Sequence, residues 1–430
     1  MHLRQRIFSR RSTLWSNRDF LHLWSAETIS QFGSQLGLLA IPLIAALVLD
    51  ASPLQMGLLT AAGQAPRLVI GFFAGAWVDR LPRKPIMVVT DIGRALTYAV
   101  IPAAWFLDVL SIELLLLVAV IEGCQTVFFN AAWSAIIPSL VQRKHLADAN
   151  GKLMASVSLA QVTGPALAGT LIAWLSGPVV MAITSATFGM SAWFLQHIRK
   201  PEVRRERDVT SPTRLMEEVR EGLRELIGSR IVRPLTTSSM VINLGGNMFM
   251  SVYVLYMAQD LGLSSRGIGL VYASGGVGAL VASMVAAPLA TRFGVGRTVL
   301  WSAGAFGIAN LFVPMAILVP EYALPLIVFS ELAAWMSLQV FNVNRFSLRQ
   351  ALTPDHLMGR VSSSTLTLVG GAQLTGSLLG GVIGQVFSVH VALFVSVGIM
   401  ALAAGVVWAS SIPSIGEMPD GPEVAASVAD

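Results

Sequence analysis

Three glutamates lie inside long apolar stretches of this chain, each with polar or aromatic companions at helical spacing. Glu27, Gln31 and Gln35 recur every four residues and form one polar stripe on a helix. Glu122 and Gln125 are followed on the same face by Phe129 and Trp133, and Glu331 by Trp335, Leu338 and Asn342. Asn243 and Asn247 mark a further apolar stretch, and Arg67 lies midway along another. Ionisable groups are costly in such surroundings and usually face a cavity or a partner. A carboxylate held away from water can exchange a proton or recognise a cation. Glu122 and Glu331 are therefore the expected proton-coupling or cation-binding groups, with Glu27 third. Arg67 is the expected countercharge to one of them. A permanent ion pair between Arg67 and a glutamate remains the alternative. Trp133 and Trp335 can stack on a bulky amphipathic substrate, or simply pack.

Other chemistry has no residues to carry it. There is no G-x-x-x-x-G-K-[ST] phosphate loop, no H-E-x-x-H and no Cys/His ligand cluster. No G-x-S-x-G stands in a plausible strand–helix context. The six histidines are scattered, with His145 and His356 in equivalent turns. The sequence thus predicts no cofactor, no metal and no enzyme. A membrane-embedded enzyme is weakened by the missing catalytic constellation.

The elements that must position these groups follow from composition. Of 430 residues, 54% are hydrophobic and 12% charged, with a mean hydropathy of +0.68. Soluble domains run near 25% charged, so a soluble enzyme and intrinsic disorder are both excluded. Apolar runs reach helix-spanning length, which selects an all-α membrane protein. Twelve transmembrane helices are expected, near 20–48, 54–78, 86–107, 112–138, 150–175, 178–198, 232–258, 266–290, 298–319, 322–344, 359–386 and 389–411. Glu122 and Glu331 each lie about nine residues into a span, roughly 14 Å deep at 1.5 Å per residue. The single cysteine, Cys124, excludes an internal disulfide framework.

The net charge of +5 reports orientation. Of the 29 Lys and Arg, 26 fall on the side that holds both termini, and Arg266 alone on the other. That split predicts a multi-pass protein of the cell membrane with both termini in the cytoplasm. It also explains the basic loops without nucleic acid. The first span is too long for a cleaved signal peptide. The expected division is an arm (1–19), a six-helix half (20–198), a linker (199–231), a second half (232–412) and a tail (413–430). Within the linker, 213–228 reads as an amphipathic helix along the membrane surface. Its apolar face is Leu215, Val219, Leu223 and either Leu226 or Ile227.

The two halves resemble each other. Asp50…Gly57-Leu58 matches Asp260…Gly269-Leu270, His145-Leu146 matches His356-Leu357, and Gly169 matches Gly380. The segment 79–84 has a worn counterpart at 291–297. A near-constant offset of 210–212 residues predicts two pseudo-symmetric six-helix halves rocking about a central site.

The join between spans 2 and 3 reads Gly75-Ala-Trp-Val-Asp79-Arg80-Leu-Pro82-Arg83-Lys84. It resembles motif A of the major facilitator superfamily, with Pro82 in place of a glycine. The resemblance covers about residues 17–412. Ser30-Gln-Phe-Gly-Ser34, Ala135-Ile-Ile-Pro-Ser-Leu-Val141 and Ala149-Asn-Gly151 bring it nearer to the drug-efflux branch with macrolide, tetracycline and siderophore exporters. It implies the major facilitator fold, with spans 1, 4, 7 and 10 lining a cavity that collects the stripes above. It also implies that the motif A loop latches the halves. Asp79 can cap a facing helix or pair with Arg94, and Asp91 with Arg94 are expected members of that network. Gly164-Pro165-Ala-Leu-Ala-Gly169 resembles the antiporter motif C, degraded at Ala160 and Ala168, and implies export. Helix packing alone is the other reading.

The expected function is proton-coupled export of amphipathic drug-like or natural-product molecules. The expected partners are a small-molecule substrate, protons and the lipid bilayer, with no nucleic acid, and the protein is expected to be a monomer. The rivals are a dedicated exporter of a metabolite such as a siderophore, a lysolipid transporter, and a non-transporting membrane sensor or scaffold.

Overall fold

The computed structural model describes residues 14–78, 81–200, 212–354 and 357–419. Every regular element among them is helical. The long helices are α1 (Arg18–Leu47), α2 (Pro53–Val78), α3 (Arg83–Phe106), α4 (Ile112–Leu140), α5 (Leu146–Leu175) and α6 (Gly177–Gln196). There follow α7 (Pro212–Gly228), α8 (Val232–Leu255), α9 (Ser265–Phe293), α10 (Val295–Met315), α11 (Ala323–Leu352), α12 (Met358–Val386) and α13 (Val389–Trp408). Eleven helices among the described residues are long and apolar enough to cross a membrane. The 26-residue α2 occupies the second expected span but is not one of the eleven.

Local chemistry sets the boundaries. Ser111, Ser264 and Ser388 each accept a backbone N–H three residues on, and so begin α4, α9 and α13. Asp50 and Asp108 take positive φ in the turns after α1 and α3, a conformation that Asp tolerates. Pro42, Pro102 and Pro165 sit inside continuous helices. Membrane helices accept them because neighbouring groups re-satisfy the freed carbonyls.

Packing divides the chain into two compact units. One is Met1–Ile41 with Val69–Val209, the other Pro42–Leu68 with Thr210–Asp430. The boundary therefore cuts α1 and α2 instead of falling only in the 199–231 linker. The start of α2 packs closely on α12 where Gly57 meets Gly381, Gln64 on α2 donates to Asn247 on α8, and Gln259 donates to the Ala46 carbonyl. The first unit buries Phe20, Leu23, Met87, Ile136, Leu153 and Leu195 in one core joining α1, α3, α4, α5 and α6.

In the second unit α8 and α12 lie almost backbone to backbone. A Cβ at Gly376 would fall inside contact distance of the Leu244 carbonyl, and one at Gly380 would do the same at Met248. Small residues permit this approach in membrane helices. Gly376→Val should therefore lower stability by about 1–3 kcal/mol. Gly371→Ala, where a Cβ meets nothing within 4 Å, should be neutral in the same thermal-unfolding assay.

The amphipathic helix forms as α7, but it rests on protein. Arg360 in the first turn of α12 donates to Glu221, and Leu226 is buried while Ile227 stays exposed. The Arg360–Glu221 ion pair holds α7 against the start of α12. The side chains of Leu215 and Val219 lie outside the described residues.

Candidate functional site

The first unit holds a buried charge network built from four helices. On α3, Asp91, Arg94 and Tyr98 share one face at steps of three and four, and all three are buried. Arg94 Nη1 lies 3.3 Å from Asp91 Oδ1, and Ser191 on α6 donates to Asp91 Oδ2 at 2.6 Å. Arg94 Nη2 donates to Thr126 Oγ1 on α4 at 3.1 Å, and Thr126 donates to Glu122 Oε1 at 2.5 Å. The guanidinium also stacks on Phe129 and Phe188, 4.5 and 5.3 Å from their ring centroids.

Glu27 on α1 is 3% exposed. Its Oε1 accepts from Gln31 at 2.7 Å, while Oε2 is buried with no hydrogen-bond partner among the described residues. It lies within electrostatic reach of Asp91 and Arg94. Arg94 Nε, Gln125 Oε1 and Trp133 Nε1 are also buried without hydrogen-bond partners among the described residues. Gln125 Nε2 meanwhile donates to Thr97. Arg94 thus pairs with Asp91, reaches the half-buried Glu122 through Thr126 and acts on Glu27 only at a distance. With every acid ionised the cluster would carry a net charge of −2, strongly disfavoured under burial.

Several expected residues fall elsewhere. Arg67 is exposed on α2 and forms no ion pair among the described residues. A helix with one open side places some of its residues there, and Arg94 supplies the countercharge instead. Phe129 carries Arg94 on its face. Trp335 donates its indole N–H to Glu331 at 2.7 Å, so it is committed to that carboxylate. Glu331, 1% exposed, also accepts from the Tyr253 hydroxyl at 3.0 Å, and no cation pairs with it among the described residues. Glu331 therefore does not repeat the environment of Glu122. Asn243 accepts from Gln373 and Asn247 from Gln64, which ties α8 to α12 and α2. Asn342 accepts from Arg345 at 3.4 Å.

Of motif A, Asp79 and Arg80 lie outside the described residues, as does any side-chain placement at Gly75. His356 lies outside them too. Lys84 donates to the carbonyls of Gln196 and Ile198, where α6 ends. Cations suit a helix C-terminus. Arg83 is half-buried at the start of α3. The worn counterpart at 291–297 has no carboxylate. There the N–H groups of Val295 and Gly296 donate to Gly416 and Ile415, so the tail covers the start of α10. Motif C sits within an unbroken α5, with Gly164, Pro165 and Gly169 buried. A Cβ at Gly164 would come 2.6 Å from Gln35 Cβ, so this position packs α5 on α1.

Residues 13–425 match the family model described as transmembrane secretion effector. The chain belongs to that family, MFS_3, within the major facilitator superfamily. It is a multi-pass membrane transporter, not an enzyme. It is 25% identical over 433 residues to the multidrug efflux pump Tap of Mycobacterium tuberculosis, covering 95% of this chain and 97% of Tap. It is 28% identical over 212 residues to the uncharacterized MFS-type transporter YfiS of Bacillus subtilis, spanning about half of each protein (49% and 50%). Its fold is similar to that of a bacterial homologue of the iron transporter ferroportin in an inward-facing state. That likeness has a TM-score of 0.75 at 20% identity and covers 92% of this chain and 99% of that one. The nucleoside transporter NupG (D323A mutant) matches at a TM-score of 0.74 and 14% identity, over 91% and 99%.

Proposed function

We propose that this transporter exports amphipathic drug-like or natural-product molecules from the cytoplasm in exchange for protons. The observation that carries the reading is the cluster of Glu27, Asp91 and Glu122 around the single cation Arg94, with Glu27 Oε2 unpartnered. Substrate binds from the cytoplasmic side while a carboxylate is ionised. The halves rock, and a proton taken up outside releases the substrate. Similarity to Tap supports the outward direction. In this reading α2 is the twelfth span, both termini are cytoplasmic, and residues 20–198 and 232–412 form the two repeats. Asp79 latches one access state, the Gly164-Pro165-Gly169 face of α5 permits the rocking, and the working unit is a monomer.

The test is efflux from proteoliposomes under an imposed pH gradient, with a panel of cationic and neutral fluorescent drugs. Gradient-dependent movement of several dyes is expected. No movement of any dye would contradict the multidrug reading and favour a dedicated metabolite or lipid exporter. Glu331 serves here as an acceptor positioning Tyr253 and Trp335. Glu331→Gln places an amide donor among two donors, and should cost about 1–3 kcal/mol of stability. It should leave the response to pH in place. Loss of coupling without loss of stability would move the proton site to α11.

A further inference from the structure

Basic side chains near helix ends in this protein commonly find oxygen. Lys84 holds two carbonyls, Lys152 pairs with Asp148, and Arg360 with Glu221. Two arginines on the last third of α11 find no carboxylate or backbone carbonyl among the described residues. Arg349 is 7% exposed, and among the described residues its side chain has no hydrogen-bond or ion-pair partner. Its recorded contact is the face of Phe346, 5.0 Å away. Arg345, one helical turn earlier, rests 5.8 Å from the Phe341 centroid. Its Nε is buried and unpartnered, and its Nη2 reaches Asn342 at a long 3.4 Å. The two like charges repel each other across that turn.

Orientation rules explain why cations occur at this end, but not why Arg349 is buried and Arg345 holds its Nε away from water. A snorkelling arginine puts its head into water, whereas Arg349 is 7% exposed overall and lays its guanidinium on the Phe346 ring. The helix dipole favours a cation in the last turn. Neither guanidinium, each with five N–H donors, bonds the last carbonyls of α11 among the described residues, and Arg345 has only the long contact to Asn342. An oxyanion answers both. Its oxygens match the planar guanidinium fork, and its charge removes the repulsion. The arginines lie roughly 5 and 10 Å from the end of α11 at 1.5 Å per residue, at the depth where a helix meets the headgroup layer.

We propose that Arg345 and Arg349 form a binding site for a phosphate-class anion at the end of α11, supplied either by an anionic phospholipid headgroup or by a free phosphate. The site lies in the second compact unit and is independent of the proton-exchange reading.

The experiment is thermal unfolding of the full-length protein with two probes. One is phosphatidylglycerol added to phosphatidylcholine nanodiscs, the other inorganic phosphate titrated in neutral detergent. At least one probe should raise the wild-type Tm. Arg345→Gln and Arg349→Gln should each weaken binding roughly tenfold, and the double variant should lose the response. Arg233→Gln, at an exposed position on α8, should behave as wild type. A response to lipid alone assigns the headgroup, and a response to phosphate in detergent assigns the free anion. No response of the wild type to either probe overturns the proposal, as does an equal response in the double variant. Should the double variant not fold, Arg345→Lys with Arg349→Lys decides. It keeps the charges, loses the forks and should bind about tenfold more weakly; binding equal to wild type contradicts the site.

Discussion

Arg94→Leu should abolish pH-driven transport and lower stability by about 3–5 kcal/mol. The loss is large because Arg94 answers more than one group. It pairs with Asp91, donates to Thr126 and covers Phe129 and Phe188. Removing it leaves Asp91 buried with Ser191 as its remaining recorded donor. Neutralising that acid as well should recover part of the stability. The double variant Asp91→Asn/Arg94→Leu should therefore be more stable than Arg94→Leu, yet still inactive. Thermal unfolding in detergent reads the first quantity and proteoliposome flux the second. An unchanged Tm in Arg94→Leu would mean that the charges are not buried as described.

Glu27→Gln should separate folding from coupling. Glutamine has nearly the same shape, and its Oε1 can still accept from Gln31 as the Glu27 carboxylate does. The amide places a donor where Oε2 has no partner, a cost offset by removing a buried charge. Stability should thus change by less than about 1 kcal/mol. The exchangeable proton is lost. A gradient of one pH unit corresponds to about 1.4 kcal/mol. One-for-one exchange therefore supports roughly tenfold accumulation in wild-type vesicles, whereas the variant should only equilibrate substrate. Full accumulation by the variant would remove Glu27 from the cycle.

Part of this site is legible in the sequence, for a physical reason. An acid or arginine inside an apolar run stands out, so Glu27, Glu122, Asp91 and Arg94 can be singled out from spacing and motif. Their neutral partners cannot. Thr126 and Ser191 look like Thr90 or Thr170, whose hydroxyls merely bond a carbonyl of their own helix. Which hydroxyl crosses to a neighbour depends on helix rotation, which spacing alone does not specify. Arg67 shows the converse, since a charge in an apolar run can still occupy the open side of its helix. The 209-residue spacing of Glu122 and Glu331 suggests equivalent roles. Yet the repeat offset carries Asp91 and Arg94 onto Ser302 and Ala305, so the second half has no matching charges. That asymmetry was readable from the offset itself. The helices follow closely from hydropathy, whereas the packing of α2 on α12 at Gly57 and Gly381 and the Gln64 and Gln259 contacts are not encoded there.

The most direct test of proton exchange is proton release on substrate binding. Purified protein in weakly buffered detergent would receive a dye transported in the efflux panel, with a pH indicator recording the solution. Wild type should release about one proton per bound dye, and the Glu27→Gln/Glu122→Gln variant should bind without release. Binding to wild type with no proton released, or equal release from the variant, would contradict the account.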